Sequence, residues 1–200
     1  QWMSEWTSLL NSDDVPINPY RVIGELERTL DKENSIVTHD AGNPRDTIMP
    51  FYSATIPHSY IGWGKTTHLG YGIPLMIGTK LAKPEKFCLN FMGDGAFGMS
   101  GLDIETSVRA GAPITTVVLN NGDMATYPGQ YQTARQEFGT LKMTGDYAKI
   151  AEGLGAVGIT VTHPSEVAAA LKKAQQLNAE GKTVLIDVHS NMESRRSRFD

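Results

Sequence analysis

Two short polar segments carry the residue types that could do chemistry. A Gly-Asp-Gly sequence centred on Asp94 follows the mostly apolar run 87–92, and Asn121 closes an Asn-Asn pair after the run 114–119. Backbone N–H groups of a glycine loop can cradle a phosphate, and a carboxylate can hold a cation. The two side chains lie 27 positions apart, which leaves room for one strand–helix–strand unit. A hard cation with oxygen ligands, magnesium above all, could therefore bridge them to a diphosphate.

Helical and extended patterns alternate around these segments. Strands that alternate with helices predict an α/β fold, a parallel sheet with helices on both faces, whose ligand lies at the carboxyl ends of the strands. The loops 93–101 and 120–130 stand at that edge. The predicted helices are 19–32, 69–82, 102–110, 147–154 and 165–179, and the predicted strands are 35–39, 86–92, 114–119, 157–161 and 184–188.

A plainer interpretation of the same residues is that they only form turns. Asp and Asn beside glycine bond readily to their own backbone, so Asp94 and Asn121 could be a turn aspartate and a loop asparagine without a ligand. Their spacing and their positions directly after two consecutive strands favour a binding site instead.

The composition limits the class of protein. A chain of 200 residues with 40% hydrophobic content can bury one core, and its net charge of −4 argues against nucleic acid as a partner. The single cysteine, Cys88, lies in an apolar run and predicts a buried, inert thiol. No stretch approaches the roughly 18 apolar residues of a membrane span, and no secretion signal opens the chain, so we expect a soluble, cytoplasmic protein without a membrane partner.

Three regions are expected along the chain. Residues 1–15 are read as a linker from a missing upstream region, because two tryptophans without periodicity suggest packing on something outside this chain. Residues 16–190 form the domain, and residues 191–200 form a basic C-terminal tail.

Taken together, Gly-Asp-Gly followed by Asn-Asn between these strands resembles the signature of thiamine-diphosphate-dependent enzymes, from about Pro16 to Val188. The resemblance implies the thiamine-diphosphate-binding fold, with thiamine diphosphate and Mg²⁺ as cofactors. It also implies that Asp94 and the side chain of Asn121 bind magnesium, with the backbone carbonyl of Asp123 as the third protein ligand.

The resemblance implies further contacts with the cofactor. Leu69, before a Gly-Tyr-Gly sequence, takes the place of the bulky residue that props the cofactor into a bent shape, although it could also be an ordinary core leucine. Asn43 takes the place of a polar residue that touches the diphosphate. The other implied cofactor contacts are Gly93, Gly95, Ala96 and Met124.

Within the family, residues 96–106 resemble 2-hydroxyacyl-CoA lyases and oxalyl-CoA decarboxylases more than acetolactate synthases. A basic tail, Arg195-Arg196-Ser197-Arg198, could cover the phosphates of coenzyme A, or it could be a solvated terminus. Two positions depart from that branch: Gly95 stands where serine is usual, and Ala125 where tyrosine is usual, with Tyr127 two positions later.

The expected activity is cleavage of a 2-hydroxyacyl-CoA to formyl-CoA plus an aldehyde or ketone, or the reverse condensation. In this family the activating glutamate comes from a separate pyrimidine-binding domain, and no segment here resembles that domain. The chain is therefore expected to be a fragment or one subunit, inactive alone, with an acyl-CoA substrate and a homo- or hetero-oligomeric assembly.

Two alternatives remain open from the sequence. The first is an acetolactate-synthase-like or decarboxylase enzyme that acts on 2-oxo acids with the same cofactor and metal. The second is a catalytically silent partner subunit whose cofactor site is vestigial, against which the intact Asp94, Asn121 and glycines argue.

Overall fold

The computed structural model of the chain describes residues 1–62, 64, 68–124 and 131–197, and its centre is a parallel sheet. The six strands lie in the order β2-β1-β3-β4-β6-β5, and each neighbouring pair is parallel. Their bounds are β1 (Ser35–His39), β2 (Tyr60–Ile61), β3 (Phe87–Gly93), β4 (Thr115–Asn120), β5 (Val157–Val161) and β6 (Val184–His189).

Helices connect these strands and cover the sheet. The chain opens with a 3-10 turn (Trp2–Trp6), and another (Pro164–Glu166) precedes the last helix. The helices are α1 (Thr7–Leu10), α2 (Pro19–Thr29), α3 (Asn43–Ile48), α4 (Gly72–Ala82), α5 (Asp94–Ser100), α6 (Asp103–Arg109), α7 (Gln132–Phe138), α8 (Tyr147–Gly153) and α9 (Val167–Ala179).

Alternate strand residues point to opposite faces of the sheet, so each face carries its own core. One core joins β-strand residues such as Val37 and Leu89 to α2 and α9. The other joins their neighbours Ile36 and Cys88 to α4, α6 and α8. Helices therefore cover both faces, and the predicted α/β architecture is confirmed.

The strand order reverses beside β1. The chain leaves β1 for β2 on one side and then returns for β3 on the other side of β1. Helix α3, which follows β1, packs in one core, and α5 and α6, which follow β3, pack in the other, so the connections after β1 and β3 diverge. Such a reversal opens a crevice at the carboxyl ends of the two strands, which is where ligands bind in open α/β sheets.

The prediction of a loop over 93–101 is wrong. Helix α5 begins at Asp94, directly after β3, because Ala96 and Phe97 are buried in the core that also contains α4. That packing outweighs the low helix propensity of the glycines within α5. Sequence patterns also missed the short elements α1, α3, α7 and β2, and the predicted helix 69–82 begins only at Gly72.

The first residues pack on the domain itself. Trp6 is 3% exposed, and its ring lies 5.2 Å from Tyr20 and 5.1 Å from Phe51, measured between centroids. The expectation that these tryptophans pack outside the chain is therefore wrong for Trp6, because Tyr20 of α2 and Phe51, three residues after α3, offer it an apolar surface. The linker role of residues 1–15 stays a prediction.

Two expectations from composition concern burial and membranes. Cys88 is fully buried, and that burial raises the pKa of its thiol to about 11, as expected for an inert side chain. Across the described residues, no helix combines the length and the hydropathy that a bilayer crossing requires.

Candidate functional site

Asp94 stands at the carboxyl edge of the sheet, as the first residue of α5. It is only 2% exposed. Its Oδ1 accepts the N–H of Gly95 at 2.7 Å, and its Oδ2 accepts the N–H of Gly122 at 2.9 Å. Burial raises the pKa of Asp94, and these N–H groups oppose the rise. The bond to Gly122 ties the end of β3 to the loop after β4.

The two asparagines after β4 have different surroundings. Asn120 turns into the scaffold, where its Nδ2 donates to Asp187 Oδ1 at 3.0 Å and to the Gly145 carbonyl at 3.2 Å. Asn121 lines the crevice, and its Oδ1 accepts the N–H of Asp123 at 3.0 Å. The first asparagine therefore anchors the loop, while the second faces the site.

The loop after β4 is fixed by a segment that lies far along the chain. The N–H of Met124 donates to the carbonyl of Leu141 at 2.7 Å, and the side chain of Asp123 forms an ion pair with Arg135 of α7. Asp123 is only 6% exposed. These contacts fix the backbone at residues 123 and 124, next to Gly122, whose N–H is bonded to Asp94 at the end of β3.

The opposite wall of the crevice comes from the end of β1. Gly42 has φ +79°, a left-handed conformation that glycine adopts without strain, and it turns the chain into α3. Asn43 is the first residue of that helix. Leu69 reaches the same crevice from the turn that precedes α4.

One cleft collects every residue that the sequence predicted as a cofactor or metal contact. It lies at the reversal of the strand order, between the loops that follow β1 and β4 and the start of α5. Its walls also include Ala41, Gly42, Pro44 and Leu119. The predicted residues in the walls are Asn43, Leu69, Gly93, Asp94, Gly95, Ala96, Asn121, Asp123 and Met124.

Comparison with known proteins identifies the kind of domain. Residues 40–188 match the family described as thiamine pyrophosphate enzyme, C-terminal TPP binding domain. The chain belongs to this family. Thiamine pyrophosphate, or thiamine diphosphate, is thus the ligand for which this TPP-binding domain is built.

Individual relatives align with most of the TPP-binding domain. Sulfoacetaldehyde acetyltransferase of Alcaligenes xylosoxydans xylosoxydans is 32% identical over 175 residues, which cover 86% of this chain and 29% of the relative. Acetolactate synthase isozyme 3 large subunit of Escherichia coli (strain K12) is 28% identical over 191 residues, covering 94% of this chain and 33% of the relative. The chain thus spans about a third of the length of these curated relatives. The closer resemblance to 2-hydroxyacyl-CoA lyases stays a prediction.

The lining of the cleft of the TPP-binding domain has polar groups of the kind that suit a diphosphate ligand. The Oδ1 of Asn43 is buried and has no hydrogen-bond partner among the described residues. The side chain of this lining residue also carries an NH₂ group, a donor of the kind that suits a phosphate oxygen. At Gly95, an added Cβ would lie 2.8 Å from the side chain of Met124, so glycine lets the start of α5 and the loop after β4 approach closely.

The basic tail lies against the first residues of the chain. The Arg195 guanidinium stacks 4.2 Å from the Trp6 ring centroid, and the Tyr20 hydroxyl donates to the Arg195 carbonyl at 2.7 Å. These contacts lie on the α2 side of the domain and give no support to a cover over the cleft. Arg198, Ala125, Tyr127 and the end of the predicted loop 120–130 lie outside the described residues.

Sequence reasoning missed one buried carboxylate beside the cleft. Asp40 directly follows β1, as Asp94 follows β3, and it is fully buried. Its position at a strand end, two residues before Gly42, is a pattern that could have drawn attention to it. What it holds depends on residues thirty positions away, which the sequence does not reveal.

Proposed function

We propose that this chain supplies the diphosphate-binding and magnesium-binding half of the active site of a thiamine-diphosphate-dependent enzyme that makes or breaks carbon–carbon bonds. The observation that carries the proposal is the cleft where Asp94 and Asn121, from adjacent strand ends, face Asn43 and Leu69. Membership of the TPP-binding family supports the same conclusion.

Magnesium would be held by the side chains of Asp94 and Asn121 and by the backbone carbonyl of Asp123. All three residues line the cleft, and carboxylate, amide and carbonyl oxygens are the ligands that Mg²⁺ prefers. The buried Asp94 carboxylate would compensate part of the positive charge, and the metal would in turn neutralise the diphosphate.

The remaining cofactor contacts divide between the two ends of the ligand. Asn43 and the backbone of residues 93–96 suit the diphosphate, whereas the apolar Leu69 suits the ring system. When bound, the cofactor supplies a nucleophilic carbon that attacks a carbonyl group. Its activation calls for a glutamate from a pyrimidine-binding domain, so we infer a partner domain, on another segment or another subunit of an oligomer.

For the substrate, an acetolactate-synthase-like reaction on a 2-oxo acid is the first candidate. Acetolactate synthase and sulfoacetaldehyde acetyltransferase are among the names of the relatives that match this chain. Within residues 96–106, which resemble the acyl-CoA branch, Ala96, Phe97 and Ile104 are buried in the core. The resemblance at these three positions therefore says little about substrate recognition.

Cleavage of a 2-hydroxyacyl-CoA is the second candidate, and residues 96–106 are the observation that favours it. Within that run, Met99 and Leu102 are exposed and could meet a substrate or a partner domain. An acyl-CoA substrate would need cationic groups for its phosphates. Arg195, packed on Trp6, does not supply one at the cleft.

The test offers both substrates to the complete protein to which this chain belongs. The protein would be loaded with thiamine diphosphate and Mg²⁺, given pyruvate or a short 2-hydroxyacyl-CoA, and the products analysed by mass spectrometry. We expect consumption of pyruvate. Production of formyl-CoA instead would establish the lyase activity, and the absence of cofactor binding would establish the catalytically silent partner.

A further inference from the structure

The turn that carries Leu69 into the cleft is fastened to the end of β1 by one carboxylate. Asp40 Oδ1 accepts the N–H of Gly70 at 2.9 Å, and Oδ2 accepts the N–H of Gly72 at 2.9 Å. Oδ1 also accepts the N–H of Ala41 at 2.8 Å. Both oxygens of a single side chain therefore hold the residues on either side of Tyr71, directly after Leu69.

A second contact fastens the same turn to β1. The Tyr71 hydroxyl donates to the backbone carbonyl of His39, the last residue of β1. Tyr71 is 5% exposed, so its ring is packed between the turn and the sheet. The turn therefore follows the end of β1 closely, through two side chains of different kinds.

The turn also has little space in which to move. Gly70 has φ +91°, and an added Cβ would lie 3.2 Å from Met99 and 3.3 Å from Ser100 of α5. An added Cβ on Gly72 would lie 2.2 Å from Asn90 Oδ1 in β3. Glycine is thus required on both sides of Tyr71, where the turn is enclosed by α5 and β3.

Asp40 accepts these hydrogen bonds from a position behind the wall of the cleft. Ala41 and Gly42 line the cleft, while Asp40 is fully buried beneath them. A buried carboxylate is costly unless hydrogen bonds satisfy it, and here backbone N–H groups do so. An asparagine in its place could accept at one oxygen only and would turn an NH₂ group towards a second N–H donor.

We propose that Asp40 is a positioning residue for the bound cofactor: its carboxylate fixes the turn 69–72 on the end of β1 and thereby sets the place of the Leu69 side chain in the cleft. The inference rests on the proposed function, in which Leu69 packs on the ring system of the cofactor and, as the family resemblance implies, holds it in a bent shape. Asp40 would act through Leu69, because Asp40 itself is not among the residues that line the cleft.

The experiment compares Asp40→Asn, Leu69→Ala and the double variant in the complete protein. The readouts are the deuterium exchange rate at the reactive thiazolium carbon of bound thiamine diphosphate and the Kd of inorganic pyrophosphate with Mg²⁺. We expect each single variant to slow exchange about tenfold or more, because small misplacements near reacting atoms are costly. The Kd of magnesium pyrophosphate should change less than about twofold, since Asp94 and Asn121 are untouched.

The double variant decides whether Asp40 acts through Leu69. If it does, the double variant should be no slower than the slower single variant, because the two changes remove one shared effect. The proposal would be overturned if the double variant slowed exchange by the product of the two single effects. It would also be overturned if Asp40→Asn exchanged as fast as the unsubstituted protein. If the unsubstituted protein binds no thiamine diphosphate, the proposed function is overturned instead.

Two further variants guard against a purely structural explanation. Asn178→Ala removes a buried amide with three partners at the amino end of the sheet, namely Thr115, Ile114 and Lys182. It should lower Tm without changing the rate of deuterium exchange at the cofactor.

Tyr71→Phe removes the hydrogen bond from the Tyr71 hydroxyl to the His39 carbonyl and should slow deuterium exchange about threefold. This variant still tests the proposal if Asp40→Asn does not fold. If Tyr71→Phe then exchanges as fast as the unsubstituted protein, the proposal is refuted.

Discussion

Asp40 and Asp94 follow two adjacent strands, yet they have different surroundings. Both are buried, at 0% and 2% exposure, and for both burial raises the pKa while backbone N–H groups oppose the rise. Asp40 bonds Gly70 and Gly72 within one turn, behind the cleft wall. Asp94 bonds Gly122 across the gap to β4 and lines the cleft. The two aspartates are therefore alike in burial and in the direction of the pKa shift. They differ in position, because Asp94, the proposed metal ligand, lines the cleft and Asp40, a scaffold residue, does not.

The largest effect is expected from replacing Asp94, the proposed metal ligand, with asparagine. Asp94→Asn should raise the Mg²⁺ concentration needed for half-saturation with thiamine diphosphate about a hundredfold, because a charged ligand is lost from a buried site. Titration of cofactor binding with Mg²⁺ measures it. Asp40→Asn is the matched control and should leave the Mg²⁺ dependence close to that of the parent. Equal effects of the two substitutions would contradict the assignment of Asp94 as a metal ligand and of Asp40 as part of the scaffold.

An intermediate effect is expected where the turn meets β3. Gly72→Ala places a Cβ against the Asn90 side chain, so the turn must shift; we expect deuterium exchange at the cofactor to slow by about tenfold. Gly78→Ala, in the same helix, is the control, because nothing lies within 4 Å of its added Cβ. Exchange that is slowed equally by both would indicate a general effect on α4.

The smallest effect on the cofactor should come from the opposite side of the domain. Trp6→Ala removes a ring packed on Tyr20 and Phe51, and we expect a loss of about 3 kcal/mol in the free energy of unfolding. Denaturant unfolding measures this loss. The Kd of thiamine diphosphate should stay within about twofold, since the contacts of Trp6 lie outside the cleft. A large change in that Kd would link the first residues to the cofactor site.

The sequence by itself determined the alternation of strands and helices, and with it the parallel sheet. Strands 35–39 and 157–161 match β1 and β5 at both ends, and the other three predicted strands match within one residue at each end. Apolar periodicity is a local property, and the burial of both faces makes it strong in parallel strands. The residues of the cleft were also predictable, because Asp94 and Asn121 directly follow consecutive strands.

Tertiary structure alone decided which residues meet across that edge. The strand order brings Asn43 opposite Asp94, packing of Ala96 and Phe97 turns a predicted loop into α5, and the Leu141 carbonyl fixes the backbone of Met124. Nothing in the local sequence distinguishes an aspartate that holds a turn from one that faces a ligand. That difference depends on partners 28 to 32 residues away, which only the folded chain brings within hydrogen-bonding distance.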